Sequence, residues 1–392
     1  MSGTQNFDFE RTIDRRGGDS EKWNKYAGRD VLPMWVADMD FAAPPVVLEA
    51  LQRRIAQGCL GYAQPWPALV ESALTYFQRR YDWRVEPEWL VWLPGLVTGI
   101  NAACRAVDGG VITATPVYPP FLTAPDFAGK ELVAVPLRLE GGCWSWDFDR
   151  MAATITPQTR LMLLCHPHNP VGRAWHESEL RQLADFCCRH NLIVCSDEIH
   201  CDLILDADRN HVPLARLDEE MARRSITLMA PSKTFNIPGL GCSVAIISDT
   251  GLRQSLKNVI RGIVPQINVL GLVAGEAAFR GADTWRDALL CVLRRNRDRV
   301  QEAIAKIPQL AMTPVEATYL AWIDARDLNI ADPAQFFEDA GVGLSDGVPF
   351  GAPGWVRLNF GCAPAILNQA LERMARACST LARRKNARIR CR

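Results

Sequence analysis

Apolar residues recur along this chain in two alternating patterns. Pro44-Pro45 opens a stretch in which Val47, Leu48, Leu51 and Ile55 fall on one face at helical spacing, so a helix is predicted there. Gly58 and Gly61 close it, and a second amphipathic helix is expected over residues 68–80. Short apolar runs then follow at 90–93, 111–114, 132–135, 161–165, 192–195, 226–229 and 243–247, with helical patterns between them, notably at 96–107 and 177–190. Runs of this length separated by helices predict strands buried on both faces, and hence a mostly parallel sheet. The expected class is α/β, a doubly wound sheet with a smaller α/β domain after it.

Beyond Gly251 the pattern turns helical, over 252–261, 269–279 and a long arginine-rich segment at 285–307. Strands near 319–323 and 356–359 and a closing helix over 365–383 complete the reading. The expected division is a large domain at 44–281 and a small one at 282–392, with residues 1–43 packing against the small domain. There are no repeats and no low-complexity segment.

Composition narrows the class of function. The 392 residues include 48% hydrophobic and 22% charged, with 44 Lys+Arg against 44 Asp+Glu. A balanced charge argues against a nucleic-acid footprint, and the basic run from Ala382 to Arg392 reads as a solvated end. No apolar stretch approaches the roughly 18 residues of a membrane span. Met1 to Glu10 is polar, without a signal-peptide core, so a soluble cytoplasmic protein is expected. The 13 cysteines contain no CxxC pair, which favours free thiols in a reducing compartment.

In sheets of this kind ligands bind beyond the carboxyl ends of the strands, so the residues just after each run are the candidates. Lys233, in Pro231-Ser232-Lys233-Thr234-Phe235-Asn236, follows an apolar strand. The six other lysines sit in polar or helical surroundings and read as surface. Apolar surroundings lower an amine's pKa and favour the neutral nucleophile, although a lysine snorkelling from a strand end fits the same position. Asp197 ends another run and could pair with a cationic heterocyclic nitrogen, or simply cap a helix. Asn169, in His166-Pro167-His168-Asn169-Pro170-Val171-Gly172, could place an amide beside a ligand oxygen, or belong to a plain Asn-Pro turn. The two histidines there lack a third partner at ligand spacing, so no metal site is expected. Gly95-Leu96-Val97-Thr98-Gly99 offers a helix start to a phosphate without matching Walker A or GxGxxG spacing. Arg357 lies inside an apolar strand, where a substrate carboxylate or an internal salt bridge would answer its charge.

Taken together, these pieces resemble the fold-type-I enzymes dependent on pyridoxal 5′-phosphate (PLP), of the class I/II aminotransferase superfamily. Within that superfamily the chain looks like the cystathionine β-lyase group of the MalY/PatB kind. The resemblance runs from Phe7 to the final helix. It is carried by Val36-Ala37-Asp38-Met39-Asp40-Phe41, Gly61-Tyr62, His168 to Gly172, Ser196-Asp197-Glu198-Ile199-His200, Ser232 to Leu240, and Val356-Arg357-Leu358-Asn359. The resemblance implies that Lys233 holds the cofactor and acts as the base at the substrate Cα. It implies that Asp197 pairs with the ring nitrogen, that Asn169 and His200 bond the ring's phenolic oxygen, and that Tyr118 stacks on the ring. Val97, Thr98 and Ser232 are implied at the phosphate, Arg357 at the α-carboxylate and Asp38 near the substrate. Tyr62 is implied to reach the neighbouring subunit's site in a homodimer.

Two positions depart from the family pattern. Ala230 stands where a phosphate-binding serine is frequent, and His166 where asparagine is common. The implied activity is a carbon–sulfur β-lyase of amino-acid metabolism, acting on cystathionine, cysteine or a cysteine S-conjugate and giving pyruvate, ammonia and a thiol. An aminotransferase, or a specialised biosynthetic enzyme of the same fold, uses the same residues and stands as the alternative.

Overall fold

The computed structural model describes residues 7–390. The first residues of the polar N-terminus and the last two of the basic run, Cys391 among them, lie outside the described residues.

The seven apolar runs form one seven-stranded sheet. Its strands are β1 (Leu90–Leu93), β2 (Gly110–Thr115), β3 (Leu132–Pro136), β4 (Thr159–Cys165), β5 (Ile193–Asp197), β6 (Ser225–Met229) and β7 (Ser243–Ile246). Their spatial order is β1-β7-β6-β5-β4-β2-β3, and β7 alone runs antiparallel to its neighbours. The reason for the unbroken apolar runs is visible in β4. Leu161 and Leu163 face one buried layer with Ile100 and Phe121, while Met162 and Leu164 face another with Leu183 and Phe186. Both faces are covered, so period-two alternation brings no polar residue. Each such leucine contributes about 2 kcal/mol of burial.

Close packing on the sheet favours a glycine at one helix. Helix Leu96–Ala106 crosses β6 so tightly that a Cβ on Gly99 would stand 2.8 Å from a methyl of Leu228. That fit sets the helix's first turn at the sheet's carboxyl edge. Register does the same for the strands, because Cys165 of β4 lies opposite Asp197 of β5, which lies opposite Leu228 of β6.

After helix Val269–Gly281 and the long helix Asp283–Ala305, a four-stranded antiparallel sheet forms from β8 (Ala311–Met312), β9 (Leu320–Asp324), β10 (Ser345–Asp346) and β11 (Trp355–Asn359), ordered β8-β9-β11-β10. The N-terminal segment joins it. Leu32–Pro33 pairs in parallel with Val342–Gly343, Asn359 donates its backbone N–H to Met34, and Arg373 bonds the Asp30 carbonyl. Short hairpin strands at Arg138–Glu140 and Cys143–Ser145 carried no recognisable sequence pattern. Cysteines among the described residues are free, and no helix there is long and apolar enough to cross a membrane.

One expectation fails. Lys22 is not at the surface: its side chain is fully buried, with Nζ 2.7 Å from Asp40 and 3.1 Å from the Asp38 carbonyl. A short helix, Glu21–Asn24, carries it inward. The polar sequence around it concealed an internal ion pair.

Candidate active site

The site is built around Lys233. Beyond β6 the chain turns through Ala230-Pro231-Ser232 and presents the Lys233 amine to the carbonyl of Ala37, 2.5 Å away. Asn236, in the left-handed region at φ 53°, grips the segment that supplies this carbonyl. Its amide donates to the carbonyls of Met39 and Phe41 and accepts from the Met39 N–H. From β11, Asn359 donates to the carbonyls of Val36 and Asp38 at 2.6 and 2.7 Å. The Tyr319 hydroxyl donates to Ala37 itself at 2.9 Å. The segment is thus held on three sides, which explains why an Ala-Asp-Met-Asp-Phe run accompanies the lysine motif. Burial pushes the Lys233 amine down to about 8; Asp38 opposes that shift, Arg357 adds to it, and Asp197 opposes it.

Asp197 lies at the end of β5, buried, with one oxygen accepting the Ile199 N–H at 3.1 Å. Burial raises its carboxyl to about 7, against the pull of that N–H; Glu198 raises it further and Lys233 lowers it. Such a group gains strongly from a cation placed beside it. His200, three residues on, is buried, with no partner at Nδ1, and burial pushes its imidazole down to about 3. Arg357 is buried in β11 and forms no salt bridge among the described residues. Its guanidinium donates to Asn169 Oδ1 and the Trp35 carbonyl at 2.9 Å and to Ser345 Oγ at 3.2 Å, while Nε has no partner. The internal salt bridge that would have accounted for it is absent there. A buried cation without an acid is a seat for an anion.

These groups share one cleft of about 630 Å³. Lys233, Asp197, Asn169, His200, Tyr118, Ser232 and Arg357 all line it, as do Gly95, Leu96 and Val97. Gly95 caps helix Leu96–Ala106 without a side-chain hydrogen bond, leaving the first-turn N–H groups to a ligand. A family model described as aminotransferase class I and II matches residues 29–374.

The chain belongs to that family.

Among relatives, cystathionine β-lyase PatB of Bacillus subtilis is 34% identical over 386 residues, covering 95% of this chain and 100% of that one. The solved structure of OvoB is 47% identical with a TM-score of 0.93, covering 95% of this chain and 99% of that one. Cystalysin from Treponema denticola, whose structure contains a pyridoxal 5′-phosphate cofactor, is 30% identical with a TM-score of 0.91, covering 96% and 100%.

Not every expected residue of this aminotransferase-family chain meets in the cleft. Thr98 sits in the first helical turn, one residue behind the wall formed by Val97. The Asp38 carboxylate turns away and pairs with Arg15 at 2.9 Å, bordering a neighbouring cavity rather than the wall beside Arg357. Tyr62 is wholly exposed and does not line its own chain's cleft; it borders a second depression formed with residues 265–270. His166 does not touch the cleft: its ring is buried, bonded to the Val212 carbonyl at 3.0 Å. Conversely, Trp35, Ala37, Tyr319, Ser345 and Asn359 shape the site without having been given a role, Ala37 and Asn359 having entered only as members of longer motifs. All five act through a backbone carbonyl or on one, which residue type does not reveal.

Proposed function

We propose that this protein is a PLP-dependent carbon–sulfur β-lyase acting on cystathionine, cysteine or a cysteine S-conjugate. The observation that carries the reading is one cleft lined by a half-buried amine, a buried carboxyl and a buried guanidinium that lacks an acid. That donor set fits PLP and an amino acid together, and relatives named cystathionine β-lyase support the reaction. When bound, PLP supplies an electron sink that acidifies the substrate Cα–H and lets a Cβ substituent leave.

The chain's own residues do the rest. Lys233 holds the cofactor through its amine and, once displaced by substrate, takes the proton from Cα. The Ala37 carbonyl keeps that amine in place. Asp197 answers the charge of the ring nitrogen. Asn169 and His200 would meet the ring's oxygen, and the Arg357 bond to Asn169 Oδ1 leaves that amide's N–H free to donate. The first turn at Leu96 and Val97, with Ser232, receives the phosphate, and Arg357 receives the α-carboxylate. Elimination expels the thiolate; the remaining three-carbon fragment takes up a water molecule and leaves as pyruvate and ammonia.

The same reading includes a cytoplasmic homodimer in which Tyr62 enters the partner's cleft. The exposure of Leu60 and Tyr62 beside one depression supports it, since large exposed side chains in one neighbourhood call for a cover. Incubation of the PLP-loaded protein with cystathionine tests the chemistry. Pyruvate and thiol without any added keto acid are expected. Turnover that requires a keto acid and yields no pyruvate would refute the lyase in favour of an aminotransferase.

A further inference from the structure

Behind Asp197 lies a polar cluster that the reaction above does not use. Asp197 ends β5 and enters the cleft, while Glu198, the next residue, turns back to the side of Ser196, whose hydroxyl it bonds, and enters the protein interior. The Glu198 side chain is completely buried. Its Oε1 accepts from the Ser196 hydroxyl at 2.8 Å and the Leu214 N–H at 3.1 Å, and its Oε2 lies 2.7 Å from His211 Nε2. His211 is itself buried and stacks on His166 with ring centroids 4.3 Å apart. His166 in turn donates its backbone N–H to the Asp197 carbonyl at 2.9 Å.

Hydrogen bonding decides the charge of this cluster. Nδ1 of both imidazoles is buried and has no partner. His166 must carry its proton on Nε2, which faces the Val212 carbonyl. A Glu198 protonated on Oε2 would require His211 to accept at Nε2 and so to carry its proton on Nδ1, as an orphaned buried donor. One protonated on Oε1 would make the Ser196 hydroxyl accept and strand that hydroxyl's own proton. An imidazolium at His211 would leave the same orphan. A bare acceptor is the less costly defect. The arrangement without an orphaned donor has Glu198 ionised and His211 neutral, for a net charge of minus one. Burial opposes it, raising the Glu198 carboxyl to about 7, and the Ser196 and Leu214 hydrogen bonds act the other way. Around it stand Arg80, which opposes an imidazolium, Asp202, which favours one, and the edge of the Tyr81 ring.

We propose that Glu198 is a positioning residue: the negative charge of the Glu198–His211 pair stands directly behind Asp197 and strengthens its hold on the protonated ring nitrogen of the cofactor. The inference rests on the PLP reading above and extends it to residues outside the cleft. A like charge on the neighbouring residue raises the proton affinity of Asp197, so a cation in front of it is bound more tightly. His166, which replaces a common asparagine, serves by stacking a second neutral imidazole on His211 and discouraging its protonation.

Glu198→Gln removes the charge while keeping the size and the acceptor for Ser196 and Leu214. The expected result is about tenfold weaker PLP affinity and a ring nitrogen that loses its proton at lower pH, read by the NMR shift of isotopically labelled cofactor. Lower kcat with little change in KM accompanies it. Glu198→Asp, which retains the charge, should keep ring protonation near that of wild type even if its melting temperature falls. Wild-type affinity and ring protonation in Glu198→Gln would overturn the inference alone, as would equal losses in both variants, which mark shape rather than charge. A wild-type protein that takes up no PLP refutes the functional reading and this inference with it.

Discussion

Arg357→Met separates binding from folding at one buried position. Burial lowers the guanidinium's pKa from 12.5 to about 10, so keeping it charged costs the folded protein about 3 kcal/mol at any pH below that value. Against this stand three hydrogen bonds to neutral acceptors, on Asn169, Trp35 and Ser345, each worth about 1 kcal/mol net, and a modest attraction to the Phe350 ring 4.8 Å away. The two sides nearly cancel. Methionine fills similar space without the charge, so cofactor-free protein should unfold within about 1 kcal/mol of wild type. Catalysis has no such compensation. Two charge-assisted bonds to a substrate carboxylate are worth about 1.5–3 kcal/mol each, so kcat/KM should fall about 100- to 10,000-fold. Thermal unfolding without cofactor and initial rates of pyruvate release measure the two effects. A variant destabilised by several kcal/mol, or one retaining kcat/KM within threefold, would refute the view that this arginine is kept for an anion.

In the cofactor-free protein the amine of Lys233 should react with electrophiles with a midpoint near pH 8, because burial lowers its pKa and the neutral fraction grows as pH rises through that value. A midpoint near that of a free lysine would contradict the buried setting. Lys233→Ala should lose turnover by more than about 1,000-fold with its melting temperature little changed. Lys22→Met keeps the aliphatic stem but leaves Asp40 to Arg15 and the Trp23 indole, and a loss of about 3 kcal/mol is expected in denaturant unfolding. Mixing inactive Lys233→Ala chains with Tyr62→Phe chains should recover up to about a quarter of wild-type activity if the tyrosine crosses between subunits, and none if each site is complete within its own chain.

Much of this protein was legible along the chain because its large sheet is buried on both faces. Strands such as β4 and β6 must then be apolar throughout, and burial of that kind leaves unbroken runs. Lys233, Asp197 and Asn169 stood out because each follows such a run, where a parallel sheet opens. Tertiary structure alone decided which charges are answered. Arg357 and Lys22 are both buried cations, yet one meets only neutral acceptors and the other a carboxylate, and nothing within a few residues of either distinguishes them. Equally, the grip on Ala37 joins residues far apart in sequence, from 37 through 236 and 319 to 359. Strand character depends on neighbouring residues and can be read locally; the charge state of a buried group depends on whatever the fold brings within hydrogen-bond reach.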